Sequence, residues 1–220
     1  MSDDSFFREV NEEIRQEKAR ALWDRYGTLI IALAVLVVVA TAAFVGWEYW
    51  RSMRSGSAGD AFAQAIKLSQ DGKNDEALAA LKKIEDDGHG AYPVLARLRA
   101  ASVMADKDDA KGAVAAFDVV AADNSTDISL RDIARLRAAL LLVDSGSYGD
   151  VEQRAGALAQ ATNPLRNTAR EALGLAAWKE GKLADATKRF EEIDADAAAS
   201  VNQKQRAGMM LELIRGAGGG

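Results

Sequence analysis

Histidine, cysteine and closely set carboxylates supply most acid–base, nucleophilic and metal chemistry, and this chain holds one histidine and no cysteine. His89 lies in the stretch DDGHGAY, between two glycines. Catalysis or metal binding there needs a second base or ligand, so a lone imidazole in a glycine-flanked turn reads as a solvated loop residue. Carboxylates do cluster, at Glu85-Asp86-Asp87 and from Asp106 to Asp109, but without the spacing of a calcium loop. Acids at such places cap helix N–H groups or solvate turns. No phosphate loop, GxSxG or HExxH pattern occurs. The expectation is therefore a protein that is not an enzyme, with no catalytic, cofactor-binding or metal-binding residues. Lack of cysteine also removes disulfides and thiolate sites, which suits an oxidising compartment.

The longest pattern in the chain is apolar. Gly27 to Trp47 is a run of 21 residues without a charge. As a helix it extends about 30 Å, the thickness of bilayer hydrocarbon. Trp23 and Tyr26 precede it and Trp47 and Trp50 close it, so aromatic rings stand where a membrane interface solvates them best. Arg15, Lys18, Arg20 and Arg25 lie before the run and Arg51 and Arg54 after it, an excess that places the N-terminus in the cytoplasm. Ala40-Thr41-Ala42 fits a signal-peptide cleavage pattern. However, the preceding tail is long and acidic and the run exceeds an ordinary signal core, so a retained single-span anchor is the preferred reading. In the tail, Phe7, Val10, Ile14 and Ala21 fall at helical spacing, either a simple extension of the anchor or a cytoplasmic docking element.

Beyond the anchor, Ser52 to Gly59 is small, polar and glycine-bearing and reads as a flexible linker. From Arg51 onward there are 23 basic and 25 acidic residues, so nothing in the charge marks a nucleic-acid partner. Alanine richness and two prolines in the whole chain favour an all-α fold. Four stretches then repeat, beginning near Gln70, Ala105, Asp144 and Lys179. Their turn positions are Gly72, Asp108, Gly146 and Gly181, and five residues later come Ala77, Ala113, Val151 and Ala186. Twelve residues before each of these stands another small residue, Ala65, Ala101, Ala139 or Gly174, where two backbones can approach; Gly174 and Ala186 are expected to meet. Leu81, Phe117, Ala155 and Phe190 follow four residues after it, completing the apolar face of a second helix. A period of this size means stacked helix–turn–helix units. Leu98, Met104, Leu140, Leu142, Leu175 and Trp178 are expected in the core. Ser200 to Arg215 reads as a closing helix, polar on its outer face at Asn202, Lys204 and Arg206.

At these positions the chain resembles the tetratricopeptide repeat, most closely in the fourth unit, ALGLAAWKEGKLADATKRFEEI. The third unit departs from the motif at Val151 and Ala155, and all four lack its first-helix tryptophan. Together with the tail EKARALWDRYG and the single apolar run, the whole chain is similar to the YfgM-like family of bacterial inner-membrane proteins. That resemblance implies an ancillary subunit of the Sec translocon whose periplasmic repeat domain links the channel to periplasmic chaperones. The expected organisation is a partly helical cytoplasmic tail (1–26), a transmembrane helix (27–50), a linker (51–59), a tetratricopeptide-repeat-like α-solenoid with its closing helix (60–215) and a flexible tail (216–220).

A solenoid presents an extended inner surface suited to peptides and helices, which favours a membrane-anchored protein–protein interaction scaffold over catalysis. Arg97, Arg135 and Arg170, on the first helices of their units, are the candidate partner-binding residues of that groove. A cell-envelope factor that organises division or wall-synthesis enzymes is the alternative, and the same arginines would serve it.

Overall fold

The computed structural model describes residues 3–218, with side chains described at residues 20, 23–29, 31–49 and 57–218. Among the described residues the regular structure is helix throughout: α1 (Asp3–Gln70), α2 (Asn74–Asp87), α3 (Tyr92–Asp106), α4 (Ala110–Ala122), α5 (Ile128–Ser145), α6 (Tyr148–Ala155), α7 (Arg166–Lys179), α8 (Leu183–Asp194) and α9 (Val201–Gly218). A 3-10 turn, Ala157–Ala159, follows α6. The chain divides into two units, Met1–Gly56 and Ser57–Gly220.

In the first unit, Trp23–Tyr49 is a helical stretch of 27 residues, long and apolar enough to cross a membrane. A helix satisfies its own backbone hydrogen bonds, as any segment within hydrocarbon must. Side chains along it, Leu33, Val38 and Phe44 among them, lie open rather than packed on protein, as do Trp23, Tyr26 and Trp47. Trp50 and the tail pattern of Phe7, Val10, Ile14 and Ala21 fall outside the described side chains. Residues 52–59 are helical, not the flexible linker expected. Each glycine in a helix interior costs about 1 kcal/mol relative to alanine; Gly56 and Gly59 are isolated and no proline stands near them, so the flanking helix continues through.

The second unit is a stack of helix pairs. The end of α1 shares a buried cluster with α2 and α3 through Ala65, Leu81 and Ala96, α3 packs on α4, α5 on α6 and α7 on α8, and α9 closes the stack against α8. Packing distance explains the repeat. Ala65, Ala101 and Ala139 have no exposed surface, Gly174 is buried, and Ala77, Ala113, Val151 and Ala186 opposite them are equally enclosed. Gly174 lies close under Phe190: a Cβ placed on it would be 2.8 Å from the ring's Cζ. Leu81, Phe117, Ala155 and Phe190 fill the interior, at most 2% exposed.

Three of the four turns share one backbone solution. Gly72, Asp108 and Gly181 take positive φ angles of 76°, 63° and 72°. This left-handed conformation costs a non-glycine residue energy that aspartate tolerates better than most. Gly146 is different: its backbone is extended, with φ −99° and ψ −177°, and Ser147 and Asp150 form a reciprocal capping box for α6. Asp109 and Asp127 accept the Gly112 and Ser129 N–H groups at the starts of α4 and α5, so acids at the repeat boundaries act as helix caps. Ser200 and Gln203 open α9 reciprocally.

Candidate functional site

Each first helix of a repeat has one side against its own second helix and another left open, and two residues along a helix turn about 200°. Arg97 and Arg99 on α3, and Arg135 and Arg137 on α5, therefore fall on opposite sides. Arg97 points toward the second-helix side, where its Nη1 donates to the Asp123 carboxylate at 3.1 Å, at the end of α4. Arg170 repeats this in the fourth unit, donating to Asp196 at 3.1 Å, to the Ala159 and Glu192 carbonyls and to Asn167. It is 8% exposed. Arg166 closes the same carboxylate through two N–H groups. Arg135 has Ala161 at the place of that aspartate and donates instead to Asp132 at 2.8 Å.

The three arginines expected in a groove are thus not brought together in one. Arg97 and Arg170 join the first helix of a unit to the end of its second, and Arg170 is enclosed. The signal that separates them from groove residues is an aspartate 26 positions later in the same unit, present after Arg97 and Arg170 and absent after Arg135. Electrostatics agree. Hydrogen bonds from Ser125, then the Arg97 guanidinium, lower the Asp123 pKa to about 2. Asp196 is held well below the ordinary carboxylate range, first by Arg166 and then by the Ala198 N–H.

The open side carries other residues. Arg137 Nη1 donates to Ser102 Oγ of α3 at 2.7 Å, and one unit earlier Arg99 Nη2 donates to Ser69 Oγ of α1 at 2.7 Å. Leu140 lines this side of α5 and is 42% exposed, and Trp178 near the end of α7 is 41% exposed, both against the expectation of core positions. Leu98, Met104, Leu142 and Leu175 are half-buried. The reason is geometric: only the second-helix side of each first helix is covered by another layer. Between α3 and α5 lies a cleft of about 410 Å³ lined by Ser102, Ala105 and Asp106 on one wall and Arg137, Leu140 and Leu141 on the other, with Phe117 of α4 at its base. A second cavity, of about 380 Å³, opens on the opposite side beside Arg135 and is crossed by the bidentate Arg154–Asp118 pair, at 2.9 and 2.6 Å.

Polar contacts also join successive units. Lys179 at the end of α7 donates to the Val143, Asp144 and Gly146 carbonyls that α5 leaves open. Glu180 accepts the Tyr148 N–H at 2.6 Å, which lowers its pKa, and Lys182 lies 4.4 Å from the centre of the Tyr148 ring. Arg206 of α9 grips Glu171 of α7 with two N–H groups. The outer face of α9 is not uniformly polar as expected, since Val201, Met209 and Leu213 are exposed there along with Asn202. His89 is exposed between α2 and α3. Among the described residues no group of three or more histidines or carboxylates is placed to hold a metal ion.

Residues 20–213 match the family described as tetratricopeptide repeat-like domain, a span that takes in both the apolar stretch and the helix pairs. A protein of Escherichia coli (strain K12) named as an ancillary SecYEG translocon subunit is 33% identical over 115 residues, 51% of this chain and 55% of that protein. The chain thus spans about half the length of that relative. No solved structure matches it.

Proposed function

Because the chain belongs to the tetratricopeptide repeat-like domain family, of the YfgM-like kind, we propose that it is a membrane-anchored scaffold for protein partners, an ancillary subunit of the Sec translocon. The observation that carries this is the extent of the family match: one family covers the apolar helix and the stacked pairs together, so anchor and binding domain belong to one device. The relative's association with SecYEG then supplies the partner. In this reading the protein carries no catalysis; it holds other chains near the channel. Trp23–Tyr49 is retained as a single inner-membrane anchor, the tail before it is cytoplasmic, and the stack of pairs stands in the periplasm.

The open side of α3, α5 and α7 is the binding surface. Its exposed Leu140, its Arg137 and its cleft are features that a helix or extended peptide uses, and arginine side chains contribute disproportionately to such contacts. Periplasmic chaperones are the second partner class, held by the same domain while the anchor keeps it beside the channel. The test is affinity purification of the full chain from detergent-solubilised membranes. SecYEG subunits and periplasmic chaperones should be recovered with it; division or wall-synthesis enzymes in their place would overturn the assignment. Alkaline phosphatase fused after Gly220 should be active, and an inactive fusion with an active cytoplasmic reporter would reverse the orientation.

A further inference from the structure

We propose that the cleft between α3 and α5 selects a segment of the partner in which an apolar side chain stands within one turn of a side-chain carboxylate. This deepens the scaffold reading and rests on it. Three observations converge. Pockets of roughly 300–1,000 Å³ hold small ligands, and this cleft, at about 410 Å³, accommodates a leucine, methionine or phenylalanine side chain with its flanking backbone. Leu140 and Leu141 on one wall, Ala105 on the other and Phe117 at the base make its interior apolar. Arg137 at its edge is charged and unneutralised. Among the described residues 57–218, Arg99, Arg131 and Arg137 are the arginines without an ion pair, whereas the other eight each meet a carboxylate.

Ser102 orients the Arg137 guanidinium through one of five N–H donors, and a planar fork with donors remaining suits a carboxylate. Asp106 lines the other wall. It repels an acid on its own side, so the ligand's carboxylate belongs on the α5 side, while Asp106 can accept a ligand N–H. Arg99, held by Ser69 in the same manner one unit earlier, gives a longer ligand a second cationic contact on the same side.

The test uses the full chain in detergent and twelve-residue glycine–serine peptides, acetylated and amidated at their ends. Each carries leucine or serine at position six and glutamate, glutamine or lysine at position nine. Leucine with glutamate should bind most tightly, and replacing glutamate by glutamine should weaken binding about tenfold, as for a charge-assisted hydrogen bond. Arg137→Glu should reverse the order so that lysine exceeds glutamate, an exchange that misfolding cannot produce. Arg137→Gln, which keeps a donor for Ser102, should remove the advantage of glutamate over glutamine. Leu140→Asp should abolish the advantage of leucine over serine. Indifference to position six or nine, an unchanged order in Arg137→Glu, binding that needs a free C-terminal carboxylate, or no binding by any peptide would each overturn the proposal. If SecYEG still co-purifies in that event, the scaffold reading stands without this site; loss of co-purification with the peptide preferences intact would sink only the translocon assignment.

Discussion

The third and fourth repeats of the stack use the same small-residue register to different ends. In the fourth, α7 and α8 are regular helices joined at a left-handed glycine, and Arg170 and Arg166 fasten the first helix to Asp196 at the end of the second. In the third, α6 is only 8 residues long, the turn glycine is extended, a 3-10 turn completes the unit, and Arg135 finds its partner within its own helix. Both enclose their small positions completely: Ala139 and Val151 are as buried as Ala186. Close packing at the crossing point is thus what a repeat must keep, whereas turn conformation, helix length and ionic fastening can vary unit by unit. The apparent degeneracy of the third unit is a change of fastening rather than a loss of fold.

The largest expected difference between the two units is ionic. Arg170→Ala removes an almost fully buried cation from the Asp196 carboxylate it hydrogen-bonds and from the nearby Glu192, and should cost about 3 kcal/mol in urea unfolding of the full chain in detergent. Arg135→Ala removes a partly exposed pair and should change stability by less than about 1 kcal/mol. Equal losses would end the distinction drawn here.

Turn chemistry comes next. Gly181→Ala forces a side chain into a left-handed backbone in otherwise open space and should cost about 1–2 kcal/mol. A neutral result by the same measurement would mean that the fourth turn can adopt the extended geometry of Gly146.

Gly174→Ala is a closer contest. The new Cβ would crowd the Phe190 ring, which is buried, and overpacking costs roughly 1–3 kcal/mol, while leaving a helical glycine recovers about 1 kcal/mol. A net loss of about 1 kcal/mol is expected, reduced when Phe190→Leu makes space. A gain from the single substitution would show that the crossing point has slack.

The smallest effect is confined to acid. Asp123 has its pKa lowered from 3.8 to about 2, so its folded state favours the ionised form. Its contribution is complete above the unfolded value of 3.8 and disappears as pH falls toward 2. Asp123→Asn should flatten the stability–pH curve within that window and leave its shape above it unchanged.

Much of this was legible in the chain. Small residues twelve apart, Ala101 and Ala113 or Gly174 and Ala186, mark positions that are fully enclosed, where a larger side chain meets neighbours on every side. The left-handed turns were marked by glycine or aspartate for the same steric reason. The surface proposed for partners was less legible. Arg97 and Arg99 differ by two positions, and assigning either to the open side requires the helix phase to within one residue, which alanine-rich helices define weakly. Leu140 and Trp178 were misplaced in the core because apolarity marks burial only where a second layer covers the residue. Residues 52–59 were misread from composition, since local polarity and glycine say little about a helix already propagating from both sides.

Which side of the stack meets a partner is the central claim, and site-specific photocrosslinking in membranes tests it most directly. A photoreactive residue replacing Leu140 or Arg137, at the cleft on the open side of α5, should yield adducts with SecYEG subunits or periplasmic chaperones. The same residue replacing Val119, exposed on α4, should yield none. Adducts from Val119 with none from Leu140 and Arg137 would contradict the account.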